Sequence, residues 1–78
     1  MKELLLYIAR SLVDHPDQVT VNEVENGDEL TLELRVAPED MGKVIGKQGR
    51  IAKSIRTLVK AAAAKENKQI HYSVDILE

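Results

Sequence analysis

Gly46-Lys47-Gln48-Gly49, set in the run from Val44 to Ile51, is the one place in the chain where residue types and spacing point at a ligand. Two glycines three positions apart let the backbone turn tightly and keep it clear of side-chain bulk. A long helical pattern follows at once, so the exposed N–H groups of the turn fall at a helix start, where they suit an anion. Between the glycines, Lys47 adds charge and Gln48 a hydrogen-bonding amide. The chemistry on offer is phosphate binding by backbone and cation.

The familiar nucleotide motifs do not fit this frame. A P-loop reads G-x4-G-K-[ST], but Lys47 stands five positions after Gly42, and Gly46-Lys47 is followed by Gln48. A dinucleotide fingerprint fails because Gly42, Gly46 and Gly49 are spaced four and three, with a helical pattern rather than a strand before them. The Gly42-to-Gly46 spacing of a membrane helix pair carries Lys43 and Lys47, which rules out burial in lipid. No nucleophile with a paired base and no carboxylate pair in a glycine-lined pocket can be placed, so neither catalytic residues nor a cofactor are expected. His15 and His71 lack cysteine or histidine partners and are read as structural, with no metal site. Tyr7 and Tyr72 are too scattered for a base-stacking platform, and Tyr72 is read as core.

The elements that must position the turn follow from periodicity. Leu5, Ile8, Leu12 and Val13 recur at helical spacing until Pro16, which pushes His15 out of the helical region. Val19 to Asn22 alternates, and Leu30 to Val36 alternates strictly with Leu30, Leu32, Leu34 and Val36 on one face. Asn26-Gly27-Asp28 between them predicts an antiparallel hairpin. Pro38 opens a short helix with Glu39 and Asp40 in its first turn, where acids suit the dipole, and Gly46 ends it on a left-handed residue. A second helix runs from near Gly49 to about Ala64 with Ile51, Ile55, Leu58, Val59 and Ala62 at core spacing. Ile70, Tyr72, Val74 and Ile76 alternate as a third strand. The order is αββααβ, an α+β domain over residues 1–78. Because two helices join the second and third strands, those strands should be parallel neighbours. A three-stranded mixed sheet with three helices on one face and a polar opposite face is expected.

At 78 residues the chain allows one domain, near the lower limit for a self-sufficient core. It has no cysteine, so no disulfide or thiolate metal site contributes. There is no apolar run of about 20 residues to span a bilayer and no signal-peptide pattern, and a cytoplasmic setting is expected. The net charge of −2 conceals a strong asymmetry. From Met41 to Lys65 there are seven cations and no acid, whereas all 13 acids and the other four cations lie outside, a balance of +7 against −9. A local positive field of this kind attracts polyanions whatever the global charge. Arg56, Lys60 and Lys65 are read as the solvated face of the helix. Taken alone, the two glycines are equally well read as the end of one helix and the start of the next; the acid-free basic segment favours binding.

The run V-I-G-K-Q-G-R-I-A-K-S-I resembles the signature of KH domains, whose V-I-G-x-x-G-x-x-I turn clamps about four nucleotides. The order αββααβ resembles the type II KH fold. The likeness spans the whole chain, including the L-V-D-H-P-D-x-V junction, and is to the small bacterial single-domain KH proteins of the KhpA (YlqC-like) family. It implies that Gly46, Lys47, Gln48 and Gly49 meet an RNA backbone, with Lys43, Arg50 and Lys53 extending the positive track. It also implies an apolar groove for bases formed by Val44, Ile45, Ile51 and Val36, with Ile55 and Leu58 read as core. The function implied is single-stranded RNA binding as an RNA chaperone or post-transcriptional regulator linked to cell shape. The partners implied are single-stranded RNA, a larger RNA-binding protein of the KhpB (Jag) kind and a second copy of the chain. A module whose main work is pairing with another protein, with weak RNA affinity alone, is the alternative.

Overall fold

The computed structural model describes residues 1–66 and 69–77. Its elements run α1 (Lys2–Leu12), β1 (Thr20–Asn26), β2 (Glu29–Arg35), α2 (Met41–Ile45), α3 (Arg50–Glu66) and β3 (His71–Leu77), with 3₁₀ turns at Pro16–Gln18, Pro38–Asp40 and Lys47–Gly49. The αββααβ order and the mixed sheet are as expected. Central β2 pairs antiparallel with β1 and parallel with β3. The first strand is longer than its alternation suggested, because pairing with β2 carries it on to Asn26 opposite Glu29. The hairpin closes on Gly27 at φ 66.

One face of the sheet carries Val21, Leu30, Leu32, Leu34 and Val74, all buried, and it is covered by Leu5 and Ala9 of α1, Val44 of α2 and Ile55 and Val59 of α3. Tyr72 packs against this core from the edge. The other face is mostly polar: Thr31 and Ser73 hydrogen-bond across it at 3.0 Å, beside Asn22, Glu33 and Asp75. One helical assignment needs correction here. Leu58 is not core but 54% exposed, and Ala52 and Ala63 are buried instead. The apolar stripe of α3 is narrow and lined with small residues, so the helix approaches the sheet on its alanine side and turns Leu58 outward.

Asp40 stands, as expected, in the first turn of the 3₁₀ helix that Pro38 opens, and its side chain is also buried, at 1% exposure. Its carboxylate accepts hydrogen bonds from the backbone N–H groups of Asp14 and His15 at 3.3 and 3.0 Å and lies 3.0 Å from His15 Nδ1. The residue thereby ties the chain after α1 to the turn that leads into α2. His15 does have the structural role expected of it, and Asp40 is the partner. Glu39 Oε2 stands 4.0 Å from the other ring nitrogen. Its hydrogen bond to Asp40, reinforced by the charges of Asp40, Glu39 and Asp14, raises the His15 pKa above its ordinary 6.5 against a desolvation penalty. Burial opposes ionisation of Asp40, but the hydrogen bonds from the His15 ring and the two backbone amides outweigh it and hold its carboxyl below the usual 3.8.

The linkage has a definite sign. His15 stabilises the fold fully below about pH 6.5 and loses that contribution as pH rises through its elevated pKa; Asp40 stabilises above 3.8 and loses its share as pH falls through its depressed pKa. Thermal unfolding followed by circular dichroism should therefore show a melting temperature highest between these limits and declining from pH 6 to 8. His15→Gln should flatten that decline. Asp40→Ala should lower the melting temperature at every pH, since it leaves two backbone N–H groups unpaired. A decline that persists unchanged in His15→Gln would assign it to another group.

Candidate nucleic-acid interface

The turn between α2 and α3 is built by a backbone that only its own sequence permits. Gly46 does have positive φ, but at φ 77 and ψ 178 it is extended rather than left-handed-helical as expected. This region is essentially closed to residues with a Cβ. A Cβ there would also fall 2.5 Å from Ile51 Cγ1, so the Ile51 side chain fills the space that the missing side chain leaves. The Gly46 N–H is taken by the Gly42 carbonyl at 2.9 Å, which ends α2, and the Gly49 N–H by the Gly46 carbonyl at 3.2 Å. Lys47 and Gln48 occupy the first positions of the intervening 3₁₀ turn, whose N–H groups have no acceptor within it. Gln48 takes the left-handed conformation at φ 60 and ψ 24. Both side chains are exposed.

Around this turn the sequence-predicted residues divide into three groups. Lys47, Gln48, Arg50 and Lys53 all lie exposed on the turn and the first part of α3, and the Arg50 Nη2 donates to Gln48 Oε1 at 3.1 Å. Ile45, Gly46, Gly49 and Ile51 are half-buried beside them. Val44 and Val36, expected to line a groove, have side chains enclosed in the core at 0% and 4% exposure. They support the turn from beneath, and Val44, the one buried residue of the five-residue helix α2, anchors it in the core. Lys43 stands apart, paired with Asp14 at 3.2 Å on the surface.

Arg56, read as part of the solvated face of α3, is exposed as expected, but its side chain also crosses to the sheet, where its Nε donates to the Val74 carbonyl at 3.1 Å. Helical spacing shows only that Arg56 is off the core stripe; that strand β3 runs alongside is a product of the tertiary fold. No group of three or more metal-ligating side chains is found among the described residues, and no described helix is long and apolar enough to cross a membrane.

Comparison with known proteins agrees with this geometry. The family model of the KhpA/KhpB KH domain matches residues 2–76. The chain is similar to a protein named RNA-binding protein KhpA from Clostridium acetobutylicum, with 69% identity over 90% of this chain and 93% of that one. It is 53% identical to the protein of the same name from Halalkalibacterium halodurans over 95% of this chain and 97% of that one. Among solved structures, Aquifex aeolicus Era bound to GDP and aluminium fluoride superposes with a TM-score of 0.67 over 97% of this chain and 30% of that one; at 19% identity this likeness concerns the fold alone. A helix–GxxG–helix turn on an αββααβ scaffold, matched by a family model along nearly its whole length, makes this chain a member of the KhpA/KhpB KH-domain family.

Proposed function

We propose that the chain binds single-stranded RNA without catalysis, holding the sugar-phosphate backbone at Gly46-Lys47-Gln48-Gly49. The observation that carries this reading is the turn itself: two exposed polar side chains and the first N–H groups of a 3₁₀ turn, set between glycines within a segment of seven cations and no acid. Lys47 and the turn amides meet a phosphate, and Arg50 and Lys53 continue the track along α3. Ile45 and Ile51 form the apolar floor beside it, while Val44 positions the turn from the core. The names of the two relatives, both called RNA-binding proteins, support the substrate class. The family name supports a KhpB-type partner, and RNA chaperoning or post-transcriptional control in the cytoplasm is the role we infer for the pair.

A second reading draws on exposed apolar side chains. Tyr7 of α1 is 73% exposed and Leu58 of α3 54%. Surfaces of this kind suit a protein partner or a second copy, so the module gains avidity by association. Light scattering alone and with a KhpB-type protein separates the readings: RNA binding that appears only with the partner favours the adaptor.

Lys47→Asp combined with Gln48→Asp should leave the circular dichroism spectrum unchanged and abolish binding in fluorescence anisotropy with a labelled RNA oligomer. A folded double variant that binds like the parent removes the turn from the site. With roughly two to four phosphates neutralised, the logarithm of the binding constant should fall against log salt with a slope of about −1.5 to −3. The two glycines should differ in their tolerance. Gly46→Ala meets both a disallowed backbone and Ile51, and should cost at least about 1–3 kcal/mol of stability in denaturant titration. Gly49 has φ 74 with open space at its Cβ position, so Gly49→Ala should cost less, about 1–2 kcal/mol.

A further inference from the structure

Strand β1 is bonded to β2 along one side, and no described strand lies on its other side. Which of its residues face outward follows from the hairpin. The two-residue turn Gly27-Asp28 closes on Asn26 and Glu29, whose backbone groups bond each other, so Asn26, Val24, Asn22 and Thr20 turn their N–H and C=O groups to β2. Val21, Glu23 and Glu25 turn theirs to the open edge. The side chains of these three share the helix-covered face with Leu34, Leu32 and Leu30, their partners on β2. The helical layer encloses Val21, whereas Glu23 and Glu25 are exposed. Between the two acids, on the other face, Val24 is 45% exposed.

A row of free backbone donors and acceptors is a template for another strand, and proteins commonly block it with proline, lysine or a bulge. Thr20–Asn26 has none of these: it reads TVNEVEN, and its register runs unbroken from Thr20 opposite Arg35 to Asn26 opposite Glu29. What it carries instead is charge of one sign. Two copies of β1 aligned antiparallel over their full length would set Glu23 against Glu23, a like-charge pair that disfavours self-pairing. The same acids repel a polyanion. They attract a segment that bears cations.

We propose that the open edge of β1 is a docking site for an extended, basic segment of a protein partner, taken up as a fourth strand. Backbone bonds to Val21, Glu23 and Glu25 supply the affinity, and the side chains of β1 set the sequence that fits. Cations belong opposite Glu23 and Glu25, and a β-branched residue between them, on the other face, belongs opposite Val24. The occupant therefore reads cation, apolar, cation. This inference is independent of the RNA-binding reading: the site shares no residue with the glycine turn, and β1 and β3 lie at opposite edges of the sheet.

The test titrates three capped peptides into the isotope-labelled full chain and follows amide chemical shifts. VTKVKTV places its lysines for Glu23 and Glu25 in either strand direction, VTVKKTV has the same composition without the alternation, and VTEVETV reverses the charge. The first should bind about fivefold more tightly than the second, as two opposite-charge cross-strand pairs allow, and the third should not bind. At saturating VTKVKTV, hydrogen exchange should slow at the amides of Val21, Glu23 and Glu25, which enter the new ladder, and change little at Asn22 and Val24, which β2 already holds. Glu23→Lys with Glu25→Lys should transfer the preference to VTEVETV. Glu23→Pro removes an edge donor that β2 does not use and should abolish binding of VTKVKTV, whereas Glu23→Gln should only weaken it. Lys47→Asp with Gln48→Asp should bind this peptide like the parent, whatever becomes of RNA binding. Equal binding of VTKVKTV and VTVKKTV, binding without slower exchange at the three edge amides, or no binding of any peptide overturns the proposal and leaves Glu23 and Glu25 as guards against self-pairing. Should Glu23→Pro fail to fold, the exchange pattern of the parent decides.

Discussion

Leu30, Leu32 and Leu34 stand on one face of the central strand, and covering them is the constraint from which the rest of the domain follows. Three strands cannot bury a face by themselves, and each leucine so enclosed stabilises the fold by about 1.5–3 kcal/mol. The hairpin supplies one neighbour for β2 directly. The other neighbour must arrive parallel, and the crossover that delivers it has to contain helices. Those helices, α2 and α3, cover the leucines together with α1, and the turn joining them is forced to the surface. The candidate interface is thus a by-product of sheet closure, held at a place where its amides cannot be absorbed by the core.

What makes that turn rigid is local. Gly46 adopts a backbone closed to other residues, and Ile51 fills the space where a side chain would sit, so the start of α3 and the end of α2 are locked by one contact. Asp40 does the same for the approach to α2, pinning it to the segment after α1 through two backbone amides and His15. A flexible ligand loses less by binding to a clamp of fixed shape, since the ordering cost falls on one partner only. The surface pair of Lys43 and Asp14 adds little to this, being exposed on both sides.

Charge is sorted in the same way. The cations from Lys43 to Lys65 belong to α2, the turn and α3, while Glu29, Glu33 and Asp75 lie on the strands with Glu33 and Asp75 on the open face of the sheet. A polyanion is drawn to the helices and repelled by the sheet, so a chain of net negative charge still presents one attractive side. Arg56 is the point at which the two regions touch, reaching from the basic helix to the strand edge.

The sequence by itself determined the elements, their order, the parallel pairing and the position of the turn, because periodicity, glycine spacing and a run of cations are local signals. It also carried the family likeness, which rests on the contiguous residues around Gly46 and Gly49. Only the tertiary structure decided the fate of single side chains. Leu58 and Val44 are both aliphatic on helices, yet one is exposed and the other enclosed, since the sheet contacts each helix along a stripe narrower than its apolar positions. Asp40 is the helix-start acid that the sequence shows, but its burial and its hydrogen bonds come from the segment after α1, 25 residues away in the chain. Arg56 is the exposed cation that the sequence shows, but its bond to the Val74 carbonyl comes from β3, 18 residues away in the chain. In each case the deciding partner is distant in sequence, and its distance and direction are set by packing that no local pattern records.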